Sequence, residues 1–289
     1  MTVIPQGAIR FNTDSSKMEC YDGEQWWEIS MSSPDLGKYT NSDKLGGARG
    51  IIGGGADPAH SNMIQAFDLT SAGSCFDFGN LSEAVRYAVG GGNQIRGIRA
   101  GGYDGSRSEV IEYFSISVSP ASITNFGDLS LSKFVFLNGA ASQTRSLFPA
   151  GGTPGFKNTI EYVTTATTGN AADFGDQTSA RGYCMGLASN AIRGIFAGGS
   201  EPSDVNKIDY VIIATLGNAI DFGDLSYSAA GVANSSSPTR GVFAGGGPSP
   251  GRTNIEYVQI MTTGNAVDFG DLTYSANYAS AISNGYGGL

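Results

Sequence analysis

Hydrophobic residues occur along the chain in short runs that are separated by Gly, Pro, Asn and Ser. Between positions 181 and 224, for example, a run of small residues at 181–190 precedes apolar runs at 192–199, 207–215 and 219–224. Runs of this length, rich in β-branched and aromatic residues and bounded by turn-forming residues, are typical of β-strands. The pattern therefore predicts four strands joined by tight turns in this part of the chain.

The same pattern recurs at a fixed interval of 47 to 49 residues from position 49 onward. Four strands in a repeat of this length are typical of a β-propeller blade, whereas ankyrin and TPR repeats are helical. Three strings keep the period: Phe-Gly-Asp/Asn begins at Phe78, Phe126, Phe174, Phe222 and Phe269; Arg-Gly-Ile/Val-x-Ala-Gly-Gly, with variants, begins at Arg49, Arg96, Arg145, Arg193 and Arg240; and Ile-Glu/Asp-Tyr begins at Ile111, Ile160, Ile208 and Ile255, with Ile64 in a degenerate first copy.

One unit carries a resemblance to a known repeat. The string Ile-Phe-Ala-Gly-Gly at 195–199, followed by Asp209 and Tyr210, resembles the kelch repeat, in which a di-glycine closes the second strand and an aromatic residue lies in the third. The Phe of Phe-Gly-Asp stands where kelch repeats have Trp. We therefore expect an all-β chain with a five-bladed kelch-like β-propeller over 49–289. A further strand at 274–283 should pair with the strand at 49–55 and close the ring, which removes exposed sheet edges.

Composition agrees with a β-rich protein and excludes several other classes. Glycine contributes 43 of the 289 residues, and charged residues are only 15% of the chain, which argues against coiled coils and helix bundles. The 15 Phe and 13 Tyr residues can fill a core, so the chain is not expected to be disordered. The net charge of −9 argues against binding to a nucleic-acid backbone.

Charged residues also repeat, and they allow two interpretations. They could form a ring around a channel that binds an anion or a metal, or each Arg could pair with a carboxylate within or between blades. Occurrence in every blade favours the structural interpretation, because a binding site normally needs asymmetry. These residues are the five repeat arginines (Arg49, Arg96, Arg145, Arg193, Arg240), the residues that end Phe-Gly-Asp/Asn (Asn80, Asp128, Asp176, Asp224, Asp271), and the residues after the repeated Ile (Gln65, Glu112, Glu161, Asp209, Glu256).

The loops between the second and third strands differ in every unit, and variable loops on a rigid scaffold are a common design for binding. We expect all five to emerge on one face of the ring, although ordinary solvated turns are the alternative. The candidate ligand-binding residues in these loops are His60, Tyr103, Asp104, Arg107, Phe156, Lys157, Glu201, Asp204 and Arg252.

The sequence contains no arrangement typical of an enzyme or a cofactor site. His60 is the only histidine, and Cys20, Cys75 and Cys184 are far apart, so no metal site, redox pair or catalytic residue is predicted. Neither a signal-peptide pattern nor an apolar run long enough to span a membrane is present. We expect no catalytic residue, no cofactor, no metal, no nucleic acid and no membrane insertion.

The first 34 residues predict a separate module, a three-stranded meander with a hairpin at Asp22 and Gly23, followed by a linker at 35–48. So small a unit cannot form a stable core by itself. We therefore expect it to pack on a partner, another copy or the propeller through Ile9, Phe11, Trp26 and Trp27.

The string Gly-Ala-Ile-Arg-Phe-Asn-Thr-Asp at 7–14, followed by Tyr-Asp-Gly-x-x-Trp at 21–26, is similar to the N-terminal module of many bacteriophage virion and tail-fibre proteins. The repeats are likewise similar to those in structural proteins of phages that infect marine cyanobacteria. This resemblance implies a virion protein, assembled in the host cytoplasm, that contacts other virion proteins through its N-terminal module and forms a homo-oligomer in the particle. The expected function is attachment to a host-surface glycan or receptor, or decoration of a tail or head. The alternatives are a structural joint or cement protein without a host ligand, and a glycan depolymerase.

Overall fold

The computed structural model describes residues 4–12, 17–28, 49–56, 58–69, 73–118, 120–133, 139–149, 151, 155–182, 186–248, 250–279 and 281. All regular elements in these ranges are β-strands, which confirms the predicted all-β class. The chain divides into two compact units, Met1–Tyr39 and Thr40–Leu289. The predicted linker at 35–48 lies outside the described residues.

The first unit contains the predicted meander. Three antiparallel strands, β1 (Ile9–Asn12), β2 (Lys17–Tyr21) and β3 (Trp26–Glu28), lie side by side in chain order. The turn between β2 and β3 is held by the Asp22 carboxylate, which accepts hydrogen bonds from the backbone N–H groups of Glu24 and Gln25 at 2.8 and 2.7 Å. An aspartate that bonds to the backbone two or three residues ahead stabilises a tight turn, as the sequence predicts.

The described part of the second unit forms five antiparallel sheets, numbered 1 to 5, and each strand pairs with the strand before it in the chain. Sheet 1 contains β4 (Arg49–Gly53), β5 (Met63–Asp68) and β6 (Phe76–Asn80); sheet 2 contains β7 (Val89–Gly92), β8 (Arg96–Ala100), β9 (Val110–Ser115) and β10 (Thr124–Asp128); sheet 3 contains β11 (Ala140–Ala141), β12 (Arg145–Pro149), β13 (Thr159–Thr164) and β14 (Ala172–Asp176); sheet 4 contains β15 (Gly186–Ser189), β16 (Arg193–Ala197), β17 (Lys207–Ile212) and β18 (Ile220–Asp224); and sheet 5 contains β19 (Ala233–Ser236), β20 (Arg240–Ala244), β21 (Arg252–Gln259) and β22 (Val267–Ala276).

The Phe of the Phe-Gly-Asp/Asn string is part of the core in sheets 1 to 4, as sheet 4 illustrates. Phe222 is buried and its ring meets the edge of Tyr210 at 5.8 Å between centroids. The following Gly223 has a φ of +144°, and the pairing of β17 with β18 shifts by one residue at this point. Phe222 is the extra residue of this β-bulge, because Gly223 pairs with Ile208 and Asp221 pairs with Asp209. The glycine next to it adopts a backbone conformation that residues with a side chain rarely adopt.

Consecutive sheets are joined by backbone hydrogen bonds that start from the same string. The amide of Gly264 in sheet 5 donates to the carbonyl of Phe222 in sheet 4, and the amide of Ala266 donates to the carbonyl of Asp224, both at 2.8 Å. The Asn265 side chain accepts from the Asp224 amide at 3.1 Å. Sheets 2 and 3, and sheets 3 and 4, are joined by the same set of bonds. The outermost strands of sheets 2, 3 and 4 thus continue their hydrogen bonding into the next sheet.

The repeat arginines also join consecutive sheets, but not by the predicted pairing with carboxylates. The Arg193 guanidinium stacks on Tyr210, 4.4 Å from the ring centroid, and donates to the carbonyl of Ile260 in the next sheet at 3.0 Å. The prediction was wrong because the planar guanidinium lies against an aromatic ring and points at a backbone oxygen, while the buried acids have other partners. The equivalent bonds run from Arg49 to Ile116, from Arg96 to Thr165 and from Arg145 to Ile213.

The predicted closing strand differs from the structure. Tyr274 and Ala276, which were expected to lie beside β4, belong to the end of β22, where Ala276 pairs with Arg252 of β21. The ladder of β21 and β22 continues through a second shift in pairing at residues 252–254, so these residues are already used in sheet 5. Sheet 1 has three strands among the described residues, and positions 280, 282 and 283 of the predicted strand lie outside them.

The two ends of the array differ from its interior. Phe222 is 2% exposed, whereas the equivalent Phe269 of sheet 5 is 55% exposed. A Cβ atom built on Gly223 would come within 2.5 Å of Gly264, whereas one built on Gly270 would meet nothing within 4 Å. Within the described ranges, the last Phe-Gly-Asp string therefore lacks the neighbouring sheet that covers the other four.

The junction between sheets 4 and 5 predicts different costs for two glycine substitutions. Gly264 also has a positive φ, +154°, but a Cβ there would meet nothing within 4 Å. Gly264→Ala should destabilise the protein by about 1–3 kcal/mol through backbone strain alone. Gly223→Ala should cost about 1–3 kcal/mol more, because its methyl group would collide with the backbone of sheet 5. Urea unfolding measures both, and equal losses would contradict the described junction.

Candidate functional site

The repeated acids form one group of candidates, and the structure gives them a structural role. Glu112, Glu161, Asp209 and Glu256 are all buried. Each accepts the backbone N–H of a Ser or Thr that follows the outermost strand of the preceding sheet, as Glu161 does from Ser130 at 2.7 Å. These acids thus link consecutive sheets and present no open ring of charge to a ligand. The other donors are Ser82 to Glu112, Thr178 to Asp209 and Ser226 to Glu256.

The cations that neutralise these acids are not present in every repeat: Lys133 and Arg181 occupy one repeat position, where other copies have Val85 and Ala229. Lys133 donates to Glu161 at 2.6 Å and Arg181 to Asp209 at 2.8 Å, and all four side chains are at most 2% exposed. Arg99, on the second strand of sheet 2, lies between Glu83 and Glu112 at 3.0 and 3.8 Å. Glu256 instead accepts the hydroxyl of Ser226.

Burial and charge shift the pKa values of these groups in directions that fit tight pairing. Burial lowers the pKa of the Lys133 ammonium. Burial alone would raise the pKa of Glu161, but the charge of Lys133 and the hydrogen bonds from Lys133 and Ser130 outweigh it and hold this pKa below its usual range. Near Glu256, burial and the adjacent negative charge raise the pKa of the Tyr227 phenol to about 12. Among the described residues, no three His, Cys, Asp or Glu side chains are grouped to hold a metal ion.

The charged side chains in the loop of sheet 4 pair with residues of the same loop and sheet. Glu201 pairs with Lys207 at 3.1 Å, and Asp204 accepts the hydroxyl of Ser200 at 2.8 Å. In sheet 5, Arg252 lies at the start of β21 rather than in the loop, with its guanidinium 5.0 Å from the ring centroid of Tyr227. These three candidates therefore stabilise the sheets that carry them.

The loop of sheet 3 is described only in part, because residues 152–154 lie outside the described ranges. Phe156 is half-buried, and its ring lies against the backbone of Gly182, where an added Cβ would come within 3.3 Å of its Cδ1 atom. Lys157 is exposed. The structure does not bring either residue together with candidates from other loops.

The loops of sheets 1 and 2 do come together. Tyr103 exchanges two backbone hydrogen bonds with Arg86, which follows the last strand of sheet 1, at 3.0 and 2.8 Å. The His60 ring meets Tyr103 edge-on at 5.9 Å between centroids. The Arg86 guanidinium lies 4.7 Å from the ring centroid of Tyr87 and 5.4 Å from that of Tyr103. We call these four residues the aromatic–cation cluster.

Two further predicted residues border this cluster. Asp104 is exposed, and its Oδ1 atom accepts the backbone N–H and the hydroxyl of Ser106, both at 2.9 Å. The hydrogen bonds from Ser106 lower the pKa of Asp104, and the nearby His60 contributes to the same shift. Arg107 pairs with Tyr103 across the loop. Four of the nine loop candidates, His60, Tyr103, Asp104 and Arg107, are thus gathered at one place.

The sequence analysis missed Arg86 and Tyr87, the other two members of the cluster. Tyr87 has a φ of +60°, and Tyr278 is the only other non-glycine residue with a positive φ in the described chain. Strained backbone of this kind is concentrated at functional sites. A comparison of the repeats position by position would have found Arg86, because Phe134, Gly182, Ala230 and Asn277 occupy the equivalent places and none is charged.

The predicted docking residues of the first unit divide between the two faces of its sheet. Ile9 lies opposite Cys20, and Cys20 lies opposite Trp27, so Ile9, Phe11 and Trp27 share one face and are all exposed. Trp26 lies on the other face, beneath the Arg10 guanidinium at 4.1 Å and beside Tyr21 at 5.2 Å. The apolar docking face, defined as Ile9, Phe11 and Trp27, therefore excludes Trp26.

The buried pair of Lys133 and Glu161 predicts a large loss of stability when one partner is removed. Lys133→Met should cost about 3–5 kcal/mol because it leaves a buried carboxylate without its cation, and adding Glu161→Gln should restore most of that loss. Lys207→Met, which breaks the more exposed pair with Glu201, should cost about 0–1 kcal/mol. Denaturant unfolding of these variants tests the assignment.

The same pair fixes the sign of the pH dependence. The folded-state pKa of Glu161 lies below its usual value, so its contribution is complete above the unfolded-state pKa and lost as pH falls through the folded-state value. In Lys133→Met the Glu161 carboxyl stays buried but loses its cation, so its pKa should rise. Protonation at lower pH should then recover part of the lost stability. A variant whose deficit stays constant from neutral pH to about pH 5 would contradict this account.

No protein-family model matches the sequence, and comparison with curated proteins likewise finds no match. Among solved structures, that of YjhT is similar with a TM-score of 0.65 and 10% sequence identity, over 81% of this chain and 84% of that chain. At this identity the similarity concerns the fold alone. No helix in the described ranges has the length and apolar character needed to cross a membrane.

Proposed function

We propose that the chain is a structural protein of a bacteriophage particle, an appendage of the tail or head that displays its sheets for host-surface attachment or particle decoration. The observation that carries the proposal is an asymmetry in an otherwise regular array. The interior contacts repeat from sheet to sheet, whereas the loops differ, and only those of sheets 1 and 2 form an aromatic–cation cluster among the described residues. The similarity of the N-terminal strings to phage virion modules supports placing this display scaffold in a particle.

The apolar docking face supports a division of labour between the two units. A three-stranded sheet with one face exposed is too small to be stable by itself, so burial of that face in a partner would stabilise it. We propose that it binds another virion protein or another copy of this chain. The alternative of a joint or cement protein uses the same docking face and assigns no ligand to the loops. A glycan depolymerase, the third alternative, needs a pair of carboxylates about 5–10 Å apart on the loop face.

The finer architecture that we propose is a closed five-bladed kelch-like propeller with sheets 1–5 as its blades. Sheets 1 and 5, at the two ends of the array, each have residues at the positions that form the other four junctions. Thr273 of sheet 5 occupies the position of Ser226, and Gln65 of sheet 1 occupies the position of the buried acids. Arg240 stacks on Tyr257 and, among the described residues, has no carbonyl acceptor in a following sheet. Closure would bring it to the backbone of sheet 1 and remove the exposed ends.

Ring closure is tested with two equivalent phenylalanines. Phe222→Ala should cost about 3–5 kcal/mol, because its ring is buried between sheets. In a closed ring Phe269→Ala should cost a similar amount, since sheet 1 would cover Phe269. In an open array the cost should stay below about 1 kcal/mol, because the ring is already exposed. Urea unfolding of both variants distinguishes these outcomes.

The docking proposal is tested in phage particles. Phe11 and Leu216 are 58% and 56% exposed, but only Phe11 lies on the apolar docking face. Phe11→Ser should reduce incorporation of the chain into particles by about tenfold or more, because apolar anchors dominate interface energies. Leu216→Ser should leave incorporation unchanged. Quantifying the chain in purified particles checks this, and normal incorporation of Phe11→Ser would contradict the docking role.

A further inference from the structure

We infer that the aromatic–cation cluster binds an anionic saccharide, with Arg86 contacting a carboxylate or sulfate group and Tyr103 contacting the sugar ring. The first observation is that the half-buried Arg86 forms no ion pair among the described residues. The buried cations of the array, Arg99, Lys133 and Arg181, each contact a carboxylate within 3.0 Å. The Nε atom of Arg86 is buried and has no hydrogen-bond acceptor among the described residues.

The position of Arg86 leaves its hydrogen-bonding edge available. Its guanidinium contacts the rings of Tyr87 and Tyr103, an arrangement that stabilises the cation through the aromatic faces. The guanidinium N–H groups lie in its plane, and this planar fork matches the two oxygens of a carboxylate or the oxygens of a sulfate. Arg252 likewise has a buried Nε atom without an acceptor and lies 5.0 Å from the ring centroid of Tyr227, but only Arg86 lies against two aromatic rings in a variable-loop cluster among the described residues.

The neighbouring groups favour a saccharide over an acidic peptide. The half-buried rings of His60 and Tyr103 offer apolar surface against which the C–H face of a sugar can pack. Asp104 uses its Oδ1 atom for Ser106, and no hydrogen bond occupies its Oδ2 atom among the described residues. A carboxylate oxygen can accept the hydroxyl groups of a sugar, which the ionised side chains of an acidic peptide do not supply.

This inference rests on the proposed attachment function and gives the chemistry of its ligand. The test uses calorimetric titration of the full chain with three tetrasaccharides: oligogalacturonate, sulfated oligogalactan and neutral maltotetraose. We expect at least one anionic probe to bind with a Kd of about 1 mM or tighter, and the neutral probe to bind about tenfold more weakly. The two anionic probes distinguish a carboxylate ligand from a sulfate ligand.

Two variants separate the cluster from general charge effects. Arg86→Gln should weaken binding of the anionic probe about tenfold, because it removes the charge-assisted fork. Lys157→Gln removes the same charge from another variable loop and should change binding by less than about twofold. Arg86→Lys, which keeps the charge and loses the planar fork, should fall between them. Thermal melting of each variant identifies losses that come from unfolding, and Arg86→Lys carries the test if Arg86→Gln does not fold.

Three outcomes would overturn the inference: no binding of either anionic probe, equal binding of neutral and anionic probes, or equal losses in Arg86→Gln and Lys157→Gln. Binding of the neutral probe alone would leave attachment to a host glycan standing and reject only the anionic ligand. Failure of the chain to enter particles would instead count against the virion function, and it would not alter the result of the titration.

Discussion

The array of sheets depends on the hydrogen bond between an acid in the third strand of one sheet and the backbone N–H that follows the sheet before it. At each of the four described junctions this acid is buried, so the bond forms in surroundings of low polarity where an unpaired carboxylate would be costly. To be stable when buried, the acid therefore needs the backbone N–H of the preceding sheet and a neighbouring cation or hydroxyl. The buried acids find their hydrogen-bond partners only when neighbouring sheets stack correctly. This requirement makes the junctions specific.

Much of the fold follows from the sequence because the junctions repeat. The string that begins at Phe222 predicts a buried ring and a glycine with positive φ, and both are found. Periodicity shows which residues are equivalent, but it does not show which of them face each other. Arg193 was therefore assigned to a carboxylate, although its guanidinium reaches a carbonyl of the next sheet. The pairing of Ala276 with β21 was missed for the same reason, since pairing beyond a bulge depends on the neighbouring strand.

The candidate site was predictable only in part, because some of its residues lie in the variable loops and others lie in the connection between two sheets. His60 and Tyr103 lie in loops whose variation is visible in the sequence, and they do come together. Arg86 lies in a segment that looks like a connection between sheets, and only the fold brings it beside Tyr103. Trp26 and Trp27 are adjacent in sequence and therefore point to opposite faces of a strand, a rule of alternation that the sequence already contained.

The cations that neutralise the buried acids do not come from the same repeat position at every junction. This difference limits which whole repeats the chain could gain or lose. Loss of sheet 3 would place Lys133 opposite Asp209, so a cation would still meet an acid across the new junction. Loss of sheet 2 would remove Arg99 and place Val85, which occupies the position of Lys133, opposite Glu161. Glu83 would then lie beside a second acid with no cation near either of them. The copies are thus similar in backbone but not interchangeable, because each junction matches its buried acid with a different neutralising group.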